Sequence, residues 1–238
     1  MDPLVEKYYG WSGYNYVMNS PLRLVDPDGR ASEWVPRIAN GKIQLVAEFG
    51  DNLQTLKSYF AGSSRFSSAQ LEFAYNSAKG GVIVDLPQDN YSRAIRYSQE
   101  NSDDFPSLEE ASQMSWDEAR RSANYNCYHF CVNGAWEKEI YSFWWSYGEY
   151  IMEPEDFQHV LDNYFIPVSL DEAIYGETII TMNYSGGFPM HSAIYAGRDK
   201  EGNVYILEKY GAHEAPKIRK LSDTNYSDFK FYNEKVKE

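Results

Sequence analysis

The stretch Asn126-Cys127-Tyr128-His129-Phe130-Cys131 contains both cysteines of the 238-residue chain. Asn126 is a favourable helix N-cap, and the apolar residues after it recur at helical spacing. The pattern predicts a helix from Cys127 to about Glu139, with the Cys127 thiol in its first turn. Free backbone N–H groups and the helix dipole favour a thiolate at that position. A disulfide with Cys131 is disfavoured, because side chains four residues apart run roughly parallel along one helix face.

A second stretch, Met190-His191-Ser192-Ala193-Ile194-Tyr195, predicts a strand that begins near His191. A thiol at a helix start that faces an imidazole on a strand has the arrangement of a nucleophile and its general base. The alternative is structural, with Cys127 as an inert core thiol and His191 as a strand-end histidine held by its neighbours. Cys131, deeper in the helix, is the better inert thiol, and His129 leaves the helix on another face.

A third polar residue is predicted by the hairpin that follows His191. Asp199-Lys200-Glu201-Gly202 is a turn sequence, and Asn203 to Tyr210 predicts the returning strand. With the turn centred near residue 200, residues whose numbers add to about 400 face each other, so Glu208 is expected opposite His191. There it would orient the imidazole. A shift of one residue would place Leu207 or Lys209 there instead.

Composition and charge restrict the function. Apolar residues make up 43% of the chain and aromatic residues 16%, as in a folded protein of one or two domains. The net charge of −13 argues against nucleic acid as a partner, because binding nucleic acid depends on neutralising phosphates. No apolar run approaches the roughly 18 residues of a membrane span. The N-terminus lacks the basic and apolar regions of a secretory signal, so we expect neither a signal peptide nor a membrane partner.

The first half of the chain predicts a small βααβ segment over residues 38–88. Its predicted elements are a strand over Ile43 to Phe49, helices over Leu53 to Phe60 and Ser68 to Ala78, and a strand over Val82 to Val84. Residues 89–114 are polar and predict a linker or a long surface loop. Ser115-Trp116-Asp117-Glu118 is a capping-box sequence that predicts a helix through Ser122.

The second half, residues 115–238, predicts helices followed by strands in one domain. After the Cys127 helix, Glu153-Pro154-Glu155-Asp156 opens a helix with an apolar face that extends to Tyr164. The predicted strands are Glu177 to Tyr184, Met190 to Gly197, Asn203 to Tyr210, Lys217 to Leu221 and Phe229 to Tyr232. Lys217 to Lys220 is interpreted as the solvated face of its strand. Helices followed by antiparallel strands predict an α+β fold.

This order resembles the papain-like superfamily and, more narrowly, the bacterial NlpC-type cell-wall peptidases and amidases. The resemblance covers roughly residues 115–221, and the matching positions are Cys127, Gly176-Glu177, His191 with Ile194 to Gly197, and Glu208. It implies a thiol hydrolase with a Cys127, His191 and Glu208 triad and without cofactor or metal. The chain departs from the family in having Asn-Cys-Tyr-His for Asp-Cys-Ser-Gly. It also has Glu177 for Asp, and Glu208 where His, Asn or Gln is more frequent.

Residues 1–30 resemble the end of the Rhs, or YD-repeat, core of bacterial polymorphic toxins. The matching segments are Asp2-Pro3-Leu4 with Glu6-Lys7-Tyr8, Tyr14-Asn15-Tyr16, Asn19-Ser20-Pro21 and Asp26-Pro27-Asp28-Gly29. In that family a variable effector domain, often a toxin, follows the core, and many members cleave themselves near the junction. The resemblance implies two partners: the rest of the Rhs core shell and a cognate immunity protein.

The segment over residues 38–88 is similar to a LysM module, with Gly-Asp-Asn-Leu-Gln-Thr-Leu from Gly50 following the first strand. LysM modules bind the N-acetylglucosamine chains of peptidoglycan or chitin. The Asn-rich end of the second helix is reduced here to Tyr75-Asn76. The resemblance implies either a glycan-binding module or a spacer, and an unrelated α+β segment is the alternative.

Together these features predict a secreted antibacterial effector that acts in the target cell, in the periplasm, on amide bonds of the peptidoglycan stem peptide. Candidate substrate contacts are Asn126, Tyr128, Trp144 and Trp145, although the two tryptophans would also suit a core. One alternative is a papain-like deamidase, transglutaminase or protease that acts on a protein. The other is a non-catalytic glycan-binding or spacer module in which Cys127 is core. Four-apart thiols without a second close ligand pair are a weak zinc signal, so we expect no metal.

Overall fold

The computed structural model describes residues 34–48, 50–79, 83–87, 90–100, 107–115, 118, 126–133, 151–184, 188–212 and 214–235. Several predictions lie outside these residues: the Rhs-core tail over 1–30, the helix through Ser122 beyond Glu118, and the candidate contacts Trp144 and Trp145. Among the described helices, none combines the length and apolar character needed to cross a bilayer.

The described chain is built from short strands and short helices. The strands are β1 (Val35–Ala39), β2 (Lys42–Val46), β3 (Ile83–Asp85), β4 (Phe165–Val168), β5 (Ile179–Asn183), β6 (His191–Arg198), β7 (Val204–Glu208), β8 (Lys217–Lys220) and β9 (Asp228–Glu234). The helices are α1 (Leu53–Tyr59), α2 (Ser68–Ser77), α3 (Asn90–Glu100), α4 (Leu108–Gln113), α5 (Cys127–Asn133) and α6 (Pro154–Tyr164), with 3₁₀ turns at Leu170–Glu172 and Leu221–Asp223. Strands form two antiparallel sheets, in the orders β1-β2-β3 and β4-β9-β5-β6-β7-β8. The predicted α+β class is confirmed.

The small sheet and its two helices follow the predicted β-α-α-β order. Asn52 caps α1 and Ser67 caps α2, each in a reciprocal capping box with the residue three positions on. The structure adds one strand, β1, which was not predicted. It forms a hairpin with β2 through Asn40-Gly41, and both residues have positive φ, the conformation that a two-residue hairpin turn requires.

The prediction of a linker over residues 89–114 is wrong for residues 90–100. Residues 90–100 form helix α3, and its side chains Tyr91, Ala94 and Ile95 are buried. The prediction failed because these apolar residues are separated by polar ones, which lowers the average hydropathy of the segment although one helix face is apolar. Helix α4 follows within the same predicted linker.

The large sheet carries the strands predicted for the second half of the chain. Strands β5 to β9 begin and end within two residues of their predicted limits. β4 was not predicted, and it pairs with β9 at one edge of the sheet. At the turn between β6 and β7, the Asp199 carboxylate accepts hydrogen bonds from the backbone N–H groups of Glu201 and Asn203 at 3.0 and 2.8 Å.

One hydrophobic core joins both sheets. It contains buried residues of the small sheet and of α1, α2 and α3 together with residues of α5, α6 and the large sheet. Direct contacts reinforce this connection: Arg65 Nε donates to the Gly176 carbonyl at 2.5 Å, and the Tyr59 hydroxyl donates to the Ala196 carbonyl. Gly197, with φ of +98°, leaves the space that the Tyr59 phenol occupies. The βααβ segment is therefore packed against the sheet that carries the candidate site.

Candidate active site

Helix α5 begins at the predicted residue, and Asn126 is its N-cap. The Asn126 carbonyl accepts from the Phe130 N–H at 2.9 Å, and the Asn126 side-chain oxygen accepts from the His129 N–H at 3.2 Å. The amide nitrogen of the same side chain donates to the Met152 carbonyl at 2.8 Å. Asn126 was predicted to contact substrate, but the structure uses its side chain to start α5 and to hold the segment before α6.

Tyr128, also predicted as a substrate contact, is buried. Its hydroxyl donates to the Pro189 carbonyl at 2.5 Å, and its ring stacks on Phe157 at 4.7 Å between centroids. Burial raises the pKa of the phenol, so the hydroxyl stays protonated as a donor. These contacts connect α5 with the segment that precedes β6 and thereby fix where His191 lies relative to Cys127.

The structure brings Cys127, His191 and Glu208 together. His191 is the first residue of β6, and its Nε2 lies 2.9 Å from Oε2 of Glu208, the last residue of β7. The imidazole also hydrogen-bonds to the Cys127 side chain, for which the ring has Nδ1 remaining. All three residues are buried, with His191 3% and Glu208 0% exposed. The order thiol, imidazole, carboxylate is that of a catalytic triad.

The protonation states in this triad follow from its contacts. Burial lowers the pKa of His191, but the hydrogen bonds and charges of Cys127 and Glu208 outweigh it and raise the net pKa to about 9. Burial also opposes the charge on Glu208, but the contacts with His191 and Arg219 outweigh it, so the pKa of Glu208 is lowered. At neutral pH the arrangement therefore holds a protonated imidazole between the thiol and a carboxylate.

The predicted register of the β6–β7 hairpin is wrong by two residues. Glu208 pairs with Ala193, not with His191. Side chains alternate along a strand, so a shift of two leaves Glu208 on the same face as His191, at the diagonal position. A carboxylate on a three-bond stem reaches across that diagonal. The hairpin has an irregularity between Tyr195 and Arg198, which a turn centred by counting does not take into account.

Arg219 on β8 extends the triad by one strand. Its Nε lies 2.5 Å from Oε1 of Glu208, and its Nη2 donates to Oε2 at 3.3 Å. The sequence analysis assigned Lys217 to Lys220 to a solvated face and missed this residue. Strand alternation could have found it, because Arg219 sits diagonally from Glu208, whose direct partner is Lys217.

Lys209 directly follows the last residue of β7 and is fully buried. Burial lowers its pKa to about 8, opposed by the charges of Glu214 and Cys127. Its Nζ donates to the carbonyl of Ala212 at 3.1 Å and to the carbonyl of Glu214. Lys209 therefore holds the chain after β7 in place. The charge of Cys127 raises the pKa of Lys209, so the ammonium group lies close enough to the thiol to interact with it electrostatically.

Two tyrosines flank the imidazole. The His191 ring is edge-on to Tyr210, with centroids 5.2 Å apart, and parallel to Tyr226 at 5.9 Å. Tyr226 in turn contacts Tyr184 at 4.9 Å. These residues were missed because Tyr210 and Tyr226 lie far apart in sequence and only the sheet topology brings them to His191.

The remaining cysteine and histidine of α5 are structural. Burial raises the pKa of Cys131 well above its usual value, and burial lowers the pKa of His129 to about 3. Both side chains therefore stay neutral at physiological pH. Among the described residues, no group of three His, Cys, Asp or Glu side chains is placed to hold a metal ion.

Comparison of the chain with protein-family models, with curated proteins and with solved structures gives no match in any of the three. The arrangement of Cys127, His191 and Glu208 is therefore the feature of the structure that bears on function.

Proposed function

We propose that the protein is a cysteine hydrolase that cleaves amide bonds with Cys127 as nucleophile, His191 as acid and base, and Glu208 as the residue that orients His191. The observation that carries the proposal is the position of His191, which hydrogen-bonds to the thiol on one side and to a buried carboxylate on the other. A histidine that only fills the core does not require an ionisable thiol and an ionisable carboxyl group as its two hydrogen-bond partners. A nucleophile–base pair needs both.

The reaction proceeds in two halves. The Cys127 thiolate attacks the carbonyl carbon, and the protonated His191 gives its proton to the leaving amine as the C–N bond breaks, which leaves a thioester. Water then attacks the thioester while His191 takes its proton, the C–S bond breaks, and release of the carboxylic acid restores the Cys127 thiolate beside the protonated His191. Glu208 stabilises the charged imidazole in both halves. The Cys127 backbone N–H, which has no carbonyl partner within α5 at its first position, is a donor for the oxyanion.

The biological setting that we propose comes from the resemblances of the sequence. An effector released from an Rhs shell and neutralised by an immunity protein would act in the periplasm of a target cell. The NlpC-type and LysM-like patterns favour the peptidoglycan stem peptide as substrate. The packing of the βααβ segment against the large sheet supports this proposal, because a glycan-binding segment fixed beside a hydrolase would present the attached peptide at a constant distance.

A protein substrate is the second candidate, and the exposed apolar side chains beside His191 favour it. Met190, Phe188 and Tyr210 are each about half exposed at this end of the sheet. Exposed apolar groups at one edge of a site suit the side chains of a polypeptide. Papain-like folds also support deamidation and transglutamination, which would use the same Cys127 and His191.

Purified protein should release new amino groups from peptidoglycan or from a denatured protein, and Cys127→Ala should abolish this release. Glu208→Gln keeps the size of the side chain but removes its charge, and we expect a loss on the order of 10²- to 10⁴-fold in kcat. Cys131→Ala is the matched control, because it removes the other thiol of α5 and should retain activity. Full activity of Cys127→Ala would refute the proposal. Expression in the periplasm and in the cytoplasm separates the two substrates, since a cell-wall enzyme is toxic only in the periplasm.

A further inference from the structure

An aromatic strip runs across the end of the large sheet at which the triad lies. We define the tyrosine strip as Tyr184, Tyr210 and Tyr226. Tyr184 follows the end of β5, Tyr210 follows the end of β7, and Tyr226 precedes the start of β9, while His191 begins β6. In an antiparallel sheet of order β9-β5-β6-β7, these four positions belong to the same end.

Contacts make the strip continuous with the catalytic imidazole. Ring centroids are 4.9 Å apart for Tyr184 and Tyr226, 5.9 Å for Tyr226 and His191, and 5.2 Å for His191 and Tyr210. Tyr226 also shares a side-chain hydrogen bond with Tyr210. A molecule that brings a carbonyl to Cys127 at His191 would therefore contact this strip.

The backbone holds the strip in place before any substrate arrives. Ser227, next to Tyr226, donates from its hydroxyl to the Tyr184 carbonyl at 2.8 Å and from its N–H to the Asn183 carbonyl at 3.0 Å. Lys209 fixes the chain after Tyr210 through the Ala212 carbonyl. A preformed surface of this kind loses little conformational entropy when it binds a ligand.

The strip and the residues next to it in sequence expose large aromatic and apolar side chains. Tyr184 is 50%, Phe188 53%, Met190 57% and Tyr210 46% exposed. The segments 188–190, 210–212 and 224–227 contain no Asp, Glu, Lys, Arg or His. Flat aromatic and thioether side chains offer a contact surface that suits a large apolar group of a ligand.

The cations beside the strip already have protein partners. Lys217 Nζ lies 5.8 Å from the Tyr210 ring centroid and 3.3 Å from a Glu214 carboxylate oxygen. Arg219 is paired with Glu208, and Lys209 is bonded to backbone carbonyls. A substrate carboxylate would compete with the Glu214 carboxylate for the half-exposed Lys217 and with Glu208 for Arg219, so these cations add little attraction for an acidic group.

On this basis we infer that the tyrosine strip is a specificity surface that takes a large apolar side chain of a polypeptide next to the scissile carbonyl. The inference rests on the proposed thiol chemistry and deepens it by favouring the second candidate substrate, a protein, over the peptidoglycan stem peptide. It assigns the selection of substrate to Tyr184 and Tyr210, and it assigns the chemistry to Cys127 and His191.

Peptidyl chloromethyl ketones test the inference without a known substrate, because they alkylate an active-site thiol at a rate set by how well their side chain fits. N-acetyl dipeptidyl chloromethyl ketones ending in Phe, Leu, Gly and Glu are compared on the full chain. We expect the Phe and Leu reagents to inactivate on the order of tenfold or more faster than the Glu reagent. Tyr184→Ala should reduce that ratio toward one. Phe73→Ala is the matched control, since Phe73 is an aromatic residue 76% exposed on α2, and it should keep the wild-type ratio.

Iodoacetamide carries no amino-acid side chain, so its reaction tests the thiol chemistry of Cys127 separately from the specificity of the tyrosine strip. If it fails to label Cys127 in the wild type, the proposed function fails and the specificity surface with it. If it labels Cys127 but the Glu reagent reacts as fast as the Phe reagent, the inference alone is overturned. Protection of Cys127 by N-acetylglucosamine oligomers, with no preference among the ketones, would also overturn it in favour of a glycan surface.

Discussion

At the scale of single residues, His191 connects every part of the account. It begins β6, it contacts the Cys127 side chain and the Glu208 carboxylate, and its ring lies between two tyrosines. Arg219 adds a positive charge on the far side of Glu208. A guanidinium there keeps the carboxylate ionised, and an ionised carboxylate is what stabilises a protonated imidazole in a buried site.

Because the folded protein raises the pKa of His191 from 6.5 to about 9, its stability should depend on pH in a defined direction. The contribution of His191 is fully present below pH 6.5 and is lost as the pH rises through about 9. The shift corresponds to roughly 3 kcal/mol of the free energy of unfolding. Urea denaturation of the wild type and of His191→Asn between pH 6 and 10 measures it as the difference between the two curves.

The comparison with His191→Asn is needed because Lys209 acts in the opposite direction. Its pKa is lowered to about 8, so its contribution to stability increases with pH above that value. Lys209 is present in both proteins, so the difference removes the part of its effect that does not depend on the charge of His191. A difference that does not change with pH would contradict the assigned contacts of His191.

At the scale of elements, α5 and β6 are the pair that creates the site. Asn126 starts the helix at Cys127, and Tyr128 attaches it to the Pro189 carbonyl just ahead of β6. The cap is therefore expected to matter for activity as well as for stability, because it decides where the thiol stands.

Asn126→Ala should lower the free energy of unfolding by about 1–2 kcal/mol through loss of the cap, and it should also reduce hydrolysis. Asn52→Ala removes the corresponding cap of α1, a helix that carries none of the three residues Cys127, His191 and Glu208. We expect a similar loss of stability from Asn52→Ala with hydrolysis retained. Equal effects of the two variants on hydrolysis, measured at a temperature at which both are folded, would show that Asn126 has no role beyond stability.

Several elements could be predicted from the sequence because local signals decide them. The Asn126 cap and the turn at Asp199 are short-range patterns, and the structure has both of them. The same patterns placed the thiol, the imidazole and the carboxylate in the correct elements. Glu208 was predicted with the wrong pairing partner, and it still lies beside His191 because a two-residue shift along a strand keeps a side chain on the same face.

At the scale of the whole molecule, the sequence could not predict how the parts meet. Arg219, Tyr210 and Tyr226 reach the site only through the strand order β9-β5-β6-β7-β8, which no local pattern contains. Gly176 and Gly197, two matching positions of the NlpC-type resemblance, illustrate this point. Gly197 gives room to Tyr59 of α1, and the Gly176 carbonyl accepts from Arg65, so both serve the contact between the small unit and the large sheet.

The shared core shows that the βααβ segment is packed against the large sheet and is not joined to it only by a linker. α3 buries Tyr91, Ala94 and Ile95 between the two sheets where a linker was predicted. The βααβ segment, α3 and the large sheet therefore hold one another in place, and the position of β6 is set by the packing of all three.

The central claim is that Cys127 is an activated nucleophile paired with His191, and reaction of the native protein with iodoacetamide at pH 7 followed by peptide mapping tests it most directly. The account predicts that the adduct forms on Cys127 faster than on a small free thiol, that Cys131 stays unlabelled, and that His191→Asn removes the acceleration. Labelling of Cys131 instead, or labelling of Cys127 only after unfolding, would contradict the account and would leave Cys127 as a core thiol.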